Sequence, residues 1–290
     1  MKIIVTGAKG QLGTDIIKEL SARGIEHKGV DVDDFDITDR QSVSDAIQAY
    51  QPDVVIHCAA YTAVDKAEDE PELCRLINEE GTKNIALACK QPDGPVPISA
   101  KMIYISTDYV FAGSKSDKDE HFHKPDDPTG PTSVYGTTKL AVERAVQDIL
   151  EKFFIVRISW VFGASGNNFV KTMLRLGQER SNLNVVCDQI GSPTYTVDLA
   201  PLLCDMATTE KYGIYHATNE GTCSWAEFAE EIFRQAGLDV KVNPIPTREY
   251  PTKAKRPYNS RLDKRCLDEA GFERLPGWKD AVKKCIQAQY

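Results

Sequence analysis

Three glycines, Gly7, Gly10 and Gly13, follow the apolar run Lys2 to Val5 directly, and Gly13, Ile16, Ile17 and Leu20 then recur at i, i+3, i+4 and i+7. A strand that passes at once into a helix through such a turn constrains the chain sharply. The backbone must reverse tightly and must let another group come close to it. The group such a turn admits is a pyrophosphate, whose charge is met by the unbonded N–H groups and the dipole at the helix start. Asp31 follows the next strand, Glu26 to Val30, and stands 24 positions after Gly7, where an acid can accept hydrogen bonds from an adenosine ribose. Strand, glycines, helix and acid together predict a dinucleotide site. The stretch Asp31 to Asp36 holds four aspartates with no arginine nearby until Arg40, so a 2′-phosphate would be repelled there and NAD(H) is favoured over NADP(H).

Further strands are predicted at Asp53 to Cys58, Lys101 to Ser106 and Phe154 to Ser159, alternating with amphipathic stretches in the pattern of βαβ units. The helix from Tyr135 carries Val142, Ala145, Val146, Ile149 and Leu150 on one face. Beyond Trp160 the alternation loosens, with a helix predicted at Asn168 to Gln178, a strand at Asn184 to Asp188 and a helix at Val197 to Thr208. Ser224 and Glu227 form a capping box ahead of Trp225, Phe228, Ala229, Ile232 and Phe233. The expected fold class is α/β: a Rossmann-type doubly wound parallel sheet with a smaller mixed α/β substrate domain. Residues 1–160 and roughly 186–218 are assigned to the NAD(P)-binding part, and roughly 161–185 and 219–290 to the substrate part. The charged segment Ser114 to Pro128 reads as a mobile loop or lid, and Gln91 to Pro97 as a turn-rich insertion.

With 41% hydrophobic and 27% charged residues, 290 positions can bury one large core or two modest ones. A net charge of -8 argues against capture of nucleic acid or an anionic membrane surface and leaves a small molecule as the expected partner. No run approaches the roughly 20 apolar residues a membrane span needs, and Met1 to Thr6 lead straight into a strand, so a cytoplasmic location is expected. The eight cysteines, at 58, 74, 89, 187, 204, 223, 266 and 285, contain no C-x-x-C pair and are expected as small buried hydrophobes.

Tyr135 and Lys139 stand four apart at the start of a helix and so share one face. An ammonium beside a phenol favours the tyrosinate and brings the phenol toward proton exchange near neutral pH. Ser106 and Thr107 end the preceding strand, at the edge where doubly wound sheets place their ligands. A hydroxyl there can hydrogen-bond a reacting oxygen, which completes a Thr107, Tyr135, Lys139 set. His121 and His123 form H-x-H, but with no third ligand in reach by sequence they read as a solvated loop, and no metal site is assigned. His57 reads as a sheet-edge side chain.

The glycine turn, Thr107 and the Tyr135/Lys139 pair resemble the extended short-chain dehydrogenase/reductases. Within that group Ala60-Tyr-Thr-Ala-Val-Asp65, Ser106-Thr-Asp-Tyr-Val-Phe111, Val134-Tyr-Gly-Thr-Thr-Lys139 and Gly166-Asn-Asn-Phe-Val-Lys-Thr-Met173 resemble the dTDP-4-dehydrorhamnose reductase family. The likeness continues through Asp188-Gln189 and Lys255-Arg256-Pro257 and covers almost the whole chain. It implies reduction, by NADH or NADPH, of the C4 ketone of a dTDP-linked 6-deoxy-4-keto sugar. Tyr135 would then donate the proton, Lys139 would tune it and hold the nicotinamide ribose, and Thr107 would contact the sugar oxygen. Gly10, Gln11, Leu12, Asp31, Asp36, Ile37, Ala59, Ala60 and Thr62 would lie at the cofactor, with Thr107, Asp108 and Trp160 at the sugar. Asn168, as an amide for sugar or base, and Arg256, as a guanidinium for the diphosphate, rest on chemistry as well as likeness.

Some members of that family hold magnesium between subunits through acidic side chains. Here Asp15 replaces their glutamate with a shorter arm, so magnesium is not expected, and monomer and homodimer both remain open. Two other readings share the fold. A dehydratase of this kind carries a glutamate after the Thr-Asp pair, where this chain has Tyr109, whereas an epimerase would retain NAD. A non-catalytic subunit resembling the regulatory partner of methionine adenosyltransferase would lack turnover, although Thr107, Tyr135 and Lys139 are all present.

Overall fold

The structure is a computed structural model that describes residues 1–114 and 121–288. Six parallel strands form the main sheet: β1 (Lys2–Thr6), β2 (Glu26–Val30), β3 (Val54–His57), β4 (Lys101–Thr107), β5 (Phe153–Ile158) and β6 (Gly213–His216). Their spatial order is β2-β1-β3-β4-β5-β6, so the chain leaves β1 in one direction and returns to its other side at β3. That reversal opens a crevice at the carboxyl ends of β1 and β3, where open α/β sheets bind ligands.

The interior strands are apolar on both faces because helices cover both. Ile3 and Val5 of β1 pack with Ile16 and Leu20 of α1 (Gln11–Ala22), whereas Ile4 faces Val43 and Ile47 of α2 (Arg40–Tyr50). The second face also receives α3 (Thr82–Cys89) and α4 (Val134–Ile149), through Ile85, Val142 and Val146. Strand β2 is an edge, and its Glu26, Lys28 and Gly29 are accordingly exposed. Helix α2, which the apolar pattern did not mark, is capped by Asp39, which accepts from the backbone N–H groups of Gln41 and Ser42.

After β5 the chain turns at Trp160, whose backbone is left-handed with φ 48°. A second core follows around Phe162, Val170, Leu183, Phe228, Ile232, Trp278 and Val282. It is built from α5 (Phe169–Glu179), α7 (Trp225–Ala236) and α8 (Trp278–Gln287), with a parallel pair of strands, Asn182–Val186 and Lys241–Ile245. Between them α6 (Thr196–Ala207) returns to the first core through Leu199, Leu203 and Met206 and leads to β6. Ile190–Gly191 pairs instead with Cys223–Ser224 and Asn259–Ser260 in a small sheet. The predicted capping box on α7 is present in both directions between Ser224 and Glu227.

Several local expectations change. The insertion at Gln91 to Pro97 is the tip of an antiparallel pair, Lys90–Gln91 with Ile98–Ser99, held by Gln48, whose amide donates to Gln91 and to the Val96 carbonyl. His57 is no sheet-edge residue. It lies on an interior strand, 1% exposed, between the hydroxyls of Thr6 (2.7 Å) and Thr82 (2.9 Å). Burial, then the charge of Lys139, pushes its pKa down to about 3, so the ring is neutral. Residues 115–120 of the supposed lid lie outside the described residues. The part that follows is anchored, since His123 N–H donates to Arg261 O and Asp263 N–H donates to His123 O. His123 is buried rather than solvated, stacked on Phe111. None of the eight cysteines is in a disulfide. Among the described residues no helix is long and apolar enough to cross a membrane.

Candidate active site

A cleft of about 800 Å³ occupies the crevice at the carboxyl edge of the main sheet. Its floor is the glycine turn. Gly7 has φ +65°, and a Cβ on it would stand 2.7 Å from the backbone nitrogen of Ala59; a Cβ on Gly13 would stand 2.2 Å from Gly7 O. Neither glycine can carry a side chain without moving backbone. No side chain caps α1 at Gly10, so the first-turn N–H groups and the positive helix end are left for an anion. The turn is therefore a cradle of the shape and charge that a nicotinamide dinucleotide requires. Asp31 stands beside it at the end of β2, accepting from the backbone N–H groups of Lys9 and Val32, both at 2.9 Å. Asp36 accepts from the Thr38 N–H and hydroxyl at 2.8 Å.

The opposite wall comes from the end of β4 and the start of α4. Thr107 ends β4 and caps a short turn, Asp108–Val110, by accepting from Tyr109 N–H at 3.3 Å. Its hydroxyl donates to Asp108 Oδ1 at 3.0 Å, and Ser260 donates to the other carboxylate oxygen. Burial pushes the Asp108 carboxyl up to about 6, against the opposing pull of the Ser260 and Thr107 hydrogen bonds. Ser133 caps α4 by accepting from Gly136 N–H at 3.1 Å, which places Tyr135 in the first helical turn and Lys139 one turn on.

Tyr135 and Lys139 do not pair as expected. The Lys139 ammonium donates to Ile105 O at 2.7 Å and lies 4.3 Å from the centre of the Tyr104 ring. Burial lowers its pKa to about 7, with Glu143 acting in the other direction. Tyr135 is only partly covered as a residue, yet desolvation by the cleft walls raises its phenol well above the usual value, and the hydrogen bond with Thr107 offsets part of that rise. The phenol therefore holds its proton rather than resting as tyrosinate. The edge of its ring meets Tyr109 at 5.5 Å between centroids.

Gly7, Gly10, Gln11, Leu12, Gly13, Asp31, Asp36, Ile37, Ala59, Ala60 and Thr62 all line the cleft, with Thr107, Asp108, Tyr135, Lys139 and Trp160. Asn168 and Arg256 are not among the lining residues. Asn168 caps α5, and its amide donates to Gln11 Oε1 and to Gly163 O, both at 2.8 Å; its neighbour Asn167 reaches the cleft instead. Arg256 pairs with Asp65 and donates to the Tyr109 hydroxyl at 3.1 Å. Asp15 is 3% exposed and accepts from Thr196 at 2.6 Å while pairing with Lys18, so its carboxylate is not offered to magnesium.

Sequence reasoning missed Glu143. It accepts from Ser106 and from two nitrogens of Arg157, with all three side chains buried. Its position four residues after Lys139 was a visible signal, since that spacing places both on one face of α4. Cys58 also lines the cleft, but burial pushes its thiol up to about 12, which leaves it unreactive.

A dinucleotide cradle facing a Thr, Tyr, Lys set on one doubly wound sheet defines an extended short-chain dehydrogenase/reductase. More narrowly, the chain belongs to the RmlD substrate binding domain family, whose model matches residues 1–290. It is 41% identical over 292 residues to dTDP-4-dehydrorhamnose reductase of Streptomyces griseus, covering 98% of this chain and 93% of the relative. The crystal structure of such a reductase from Clostridium acetobutylicum superposes with a TM-score of 0.93 at 43% identity, covering 99% of each chain. The reductase of Bacillus anthracis, solved in complex with NADP, gives a TM-score of 0.93 at 41% identity, also over 99% of each chain.

Proposed function

We propose that this protein reduces the C4 ketone of dTDP-4-dehydrorhamnose to give dTDP-L-rhamnose, using NADH or NADPH. The observation that carries the reading is the placement of Tyr135, still a phenol, and Thr107 on the same cleft as the glycine cradle. When bound, the dihydronicotinamide supplies the hydride. Tyr135 gives its proton to the oxygen that becomes the hydroxyl, and Thr107 orients that oxygen by hydrogen bonding. Lys139 holds the ribose of the cofactor and supplies positive charge near the phenol as the proton leaves. The turn at Gly7, Gly10, Gln11, Leu12 and Gly13 receives the diphosphate, Asp31 and Asp36 the adenosine side, and Ala59, Ala60, Thr62 and Ile37 the remaining wall.

On the substrate side, Asp108 and Trp160 contact the sugar. Asn168 acts one layer back by fixing Gln11, and Arg256 does so by fixing Tyr109. A 2′-phosphate would meet Asp31, which favours NADH, and the nearby cation, Lys9, is already paired with Asp33. We assign the cofactor to residues 1–160 and roughly 186–218, and the nucleotide sugar to the rest, in a cytoplasmic monomer or homodimer.

The test offers the purified protein NADH and NADPH separately with a dTDP-4-keto-6-deoxy sugar, follows cofactor oxidation and identifies the product. Oxidation with formation of the 4-hydroxy sugar is the expected result. No oxidation with either cofactor, or NAD retained through turnover without net oxidation, would overturn it, and the second outcome would mark an epimerase.

A further inference from the structure

Outside the cleft, one cluster has the chemistry of a ligand set. His121 and His123 are two residues apart on extended chain, where alternate side chains share a face, and His123 is bridged in parallel to Leu262. A turn then brings Asp127 back: its N–H donates to Lys124 O at 3.1 Å, and its carboxylate accepts from Lys124 N–H at 2.9 Å. The result is a hydrogen bond of 2.9 Å between His121 Nε2 and Asp127 Oδ2, with the two imidazoles edge to face at 5.1 Å. One ligand atom from each of His121, His123 and Asp127 lies within 4.8 Å of the others. The third group that H-x-H lacked in the linear sequence is supplied by the turn.

The backbone that carries these groups is held from several sides. Asn259 donates to His121 O at 2.8 Å, Arg157 donates to Pro125 O at 3.0 Å, and the His123 ring lies flat on Phe111 at 4.3 Å. The donors are thus positioned before any ion arrives, which lowers the ordering cost of binding. His121 is half exposed and gives an entry path, whereas His123 forms the floor.

We propose that His121, His123 and Asp127 form a binding site for a divalent transition metal, with zinc the best match. Two imidazoles and one carboxylate suit zinc, cobalt or nickel and not magnesium or calcium, which prefer all-oxygen sets. The ion replaces the His121 to Asp127 hydrogen bond with a bond to each, and water completes its shell. Occupancy ties the 121–127 turn to Phe111 and to the 259–263 segment, whose Ser260 holds Asp108 in the cleft.

The test uses the full, tag-free chain. Zinc is titrated calorimetrically into the wild type, His121→Ala and Asp127→Asn, and cobalt binding is followed by absorption, with circular dichroism showing that each variant is folded. One zinc per chain is expected in the wild type, with affinity falling about tenfold or more in either variant. The cobalt spectrum should show ligand-field bands without a thiolate charge-transfer band, because no cysteine belongs to the set. Equal affinity in wild type and both variants, a thiolate band carrying all the bound cobalt, or no zinc binding by the wild type would overturn the proposal.

Discussion

Glu143 grips Arg157 through two hydrogen bonds, 2.9 Å to Nε and 2.7 Å to Nη2, in a space where neither side chain is more than 3% exposed. Arg157 lies opposite Ser106 in the register of β4 and β5, and Ser106 donates to the same carboxylate. A helix that carries Tyr135 and Lys139 is thereby pinned to the strand that ends at Thr107. Glu143→Gln leaves the guanidinium buried and uncompensated, and should cost about 3–5 kcal/mol of stability. Denaturant unfolding of the two proteins measures it; an unchanged midpoint would show that the pair does not hold the helix in place.

Tyr135→Phe removes the proton and little else. Turnover should fall by about a hundred- to ten-thousand-fold while cofactor affinity is nearly kept. Steady-state kinetics with fluorescence titration of NADH separates the two quantities. Wild-type turnover in the variant would assign the proton to another group.

With Lys139 at the cofactor ribose as proposed, cofactor binding should depend on pH. Burial lowers the Lys139 pKa in the unliganded protein to about 7, and under the proposed ribose role a bound dinucleotide would favour the ammonium. Affinity should therefore be greatest below pH 7 and decline as pH rises through that value, with a limiting slope of about tenfold per unit. Lys139→Ala should bind weakly at every pH and lose the slope. A wild-type affinity independent of pH between about 6 and 9 would remove Lys139 from the ribose site.

Asp108 makes the opposite kind of statement about folding. Its carboxyl ionises near 3.8 in the unfolded chain but only at about 6 in the folded one. Between those values the folded state binds the extra proton, so stability falls as pH rises, and above about 6 the full penalty, on the order of 3 kcal/mol, applies. Asp108→Asn should lack this component and be the more stable protein near neutrality. Unfolding midpoints for both proteins between about pH 4 and pH 7 test the difference, and parallel curves would refute it.

What could be read from the chain was what lies close together along it. The glycine turn, the one-turn spacing of Tyr135 and Lys139 on α4 and the Ser224–Glu227 box are local patterns tied to one turn or one helical period, and these are in place. The six strands expected from the sequence lie within two residues of observed ones, whereas β6 (Gly213–His216) and the strand Lys241–Ile245 carry no such local mark. Misreadings arose where distant segments decide. Asn168 spends its amide on Gln11, 157 residues away. His57 sits at a strand terminus in sequence, yet the strand order makes it interior. His123 is buried by Phe111 and by residues 261–263, none of which the charged composition around it announces. The acidity of Tyr135 was misjudged because helical spacing gives proximity to Lys139 but not the carbonyl of Ile105 that claims the ammonium.

The stacked pair Trp160 and Trp225, 3.7 Å between ring centroids, gives the molecule its own optical gauge. Trp160, Trp225 and Trp278, the three tryptophans of the chain, all belong to the second core, and Trp160 alone of them reaches the cleft. Indole emission should therefore report on one half of the molecule and be quenched, or passed to the ring, when a dihydronicotinamide settles against the other. Loading of the cleft can be timed in a stopped-flow mixer with no label attached.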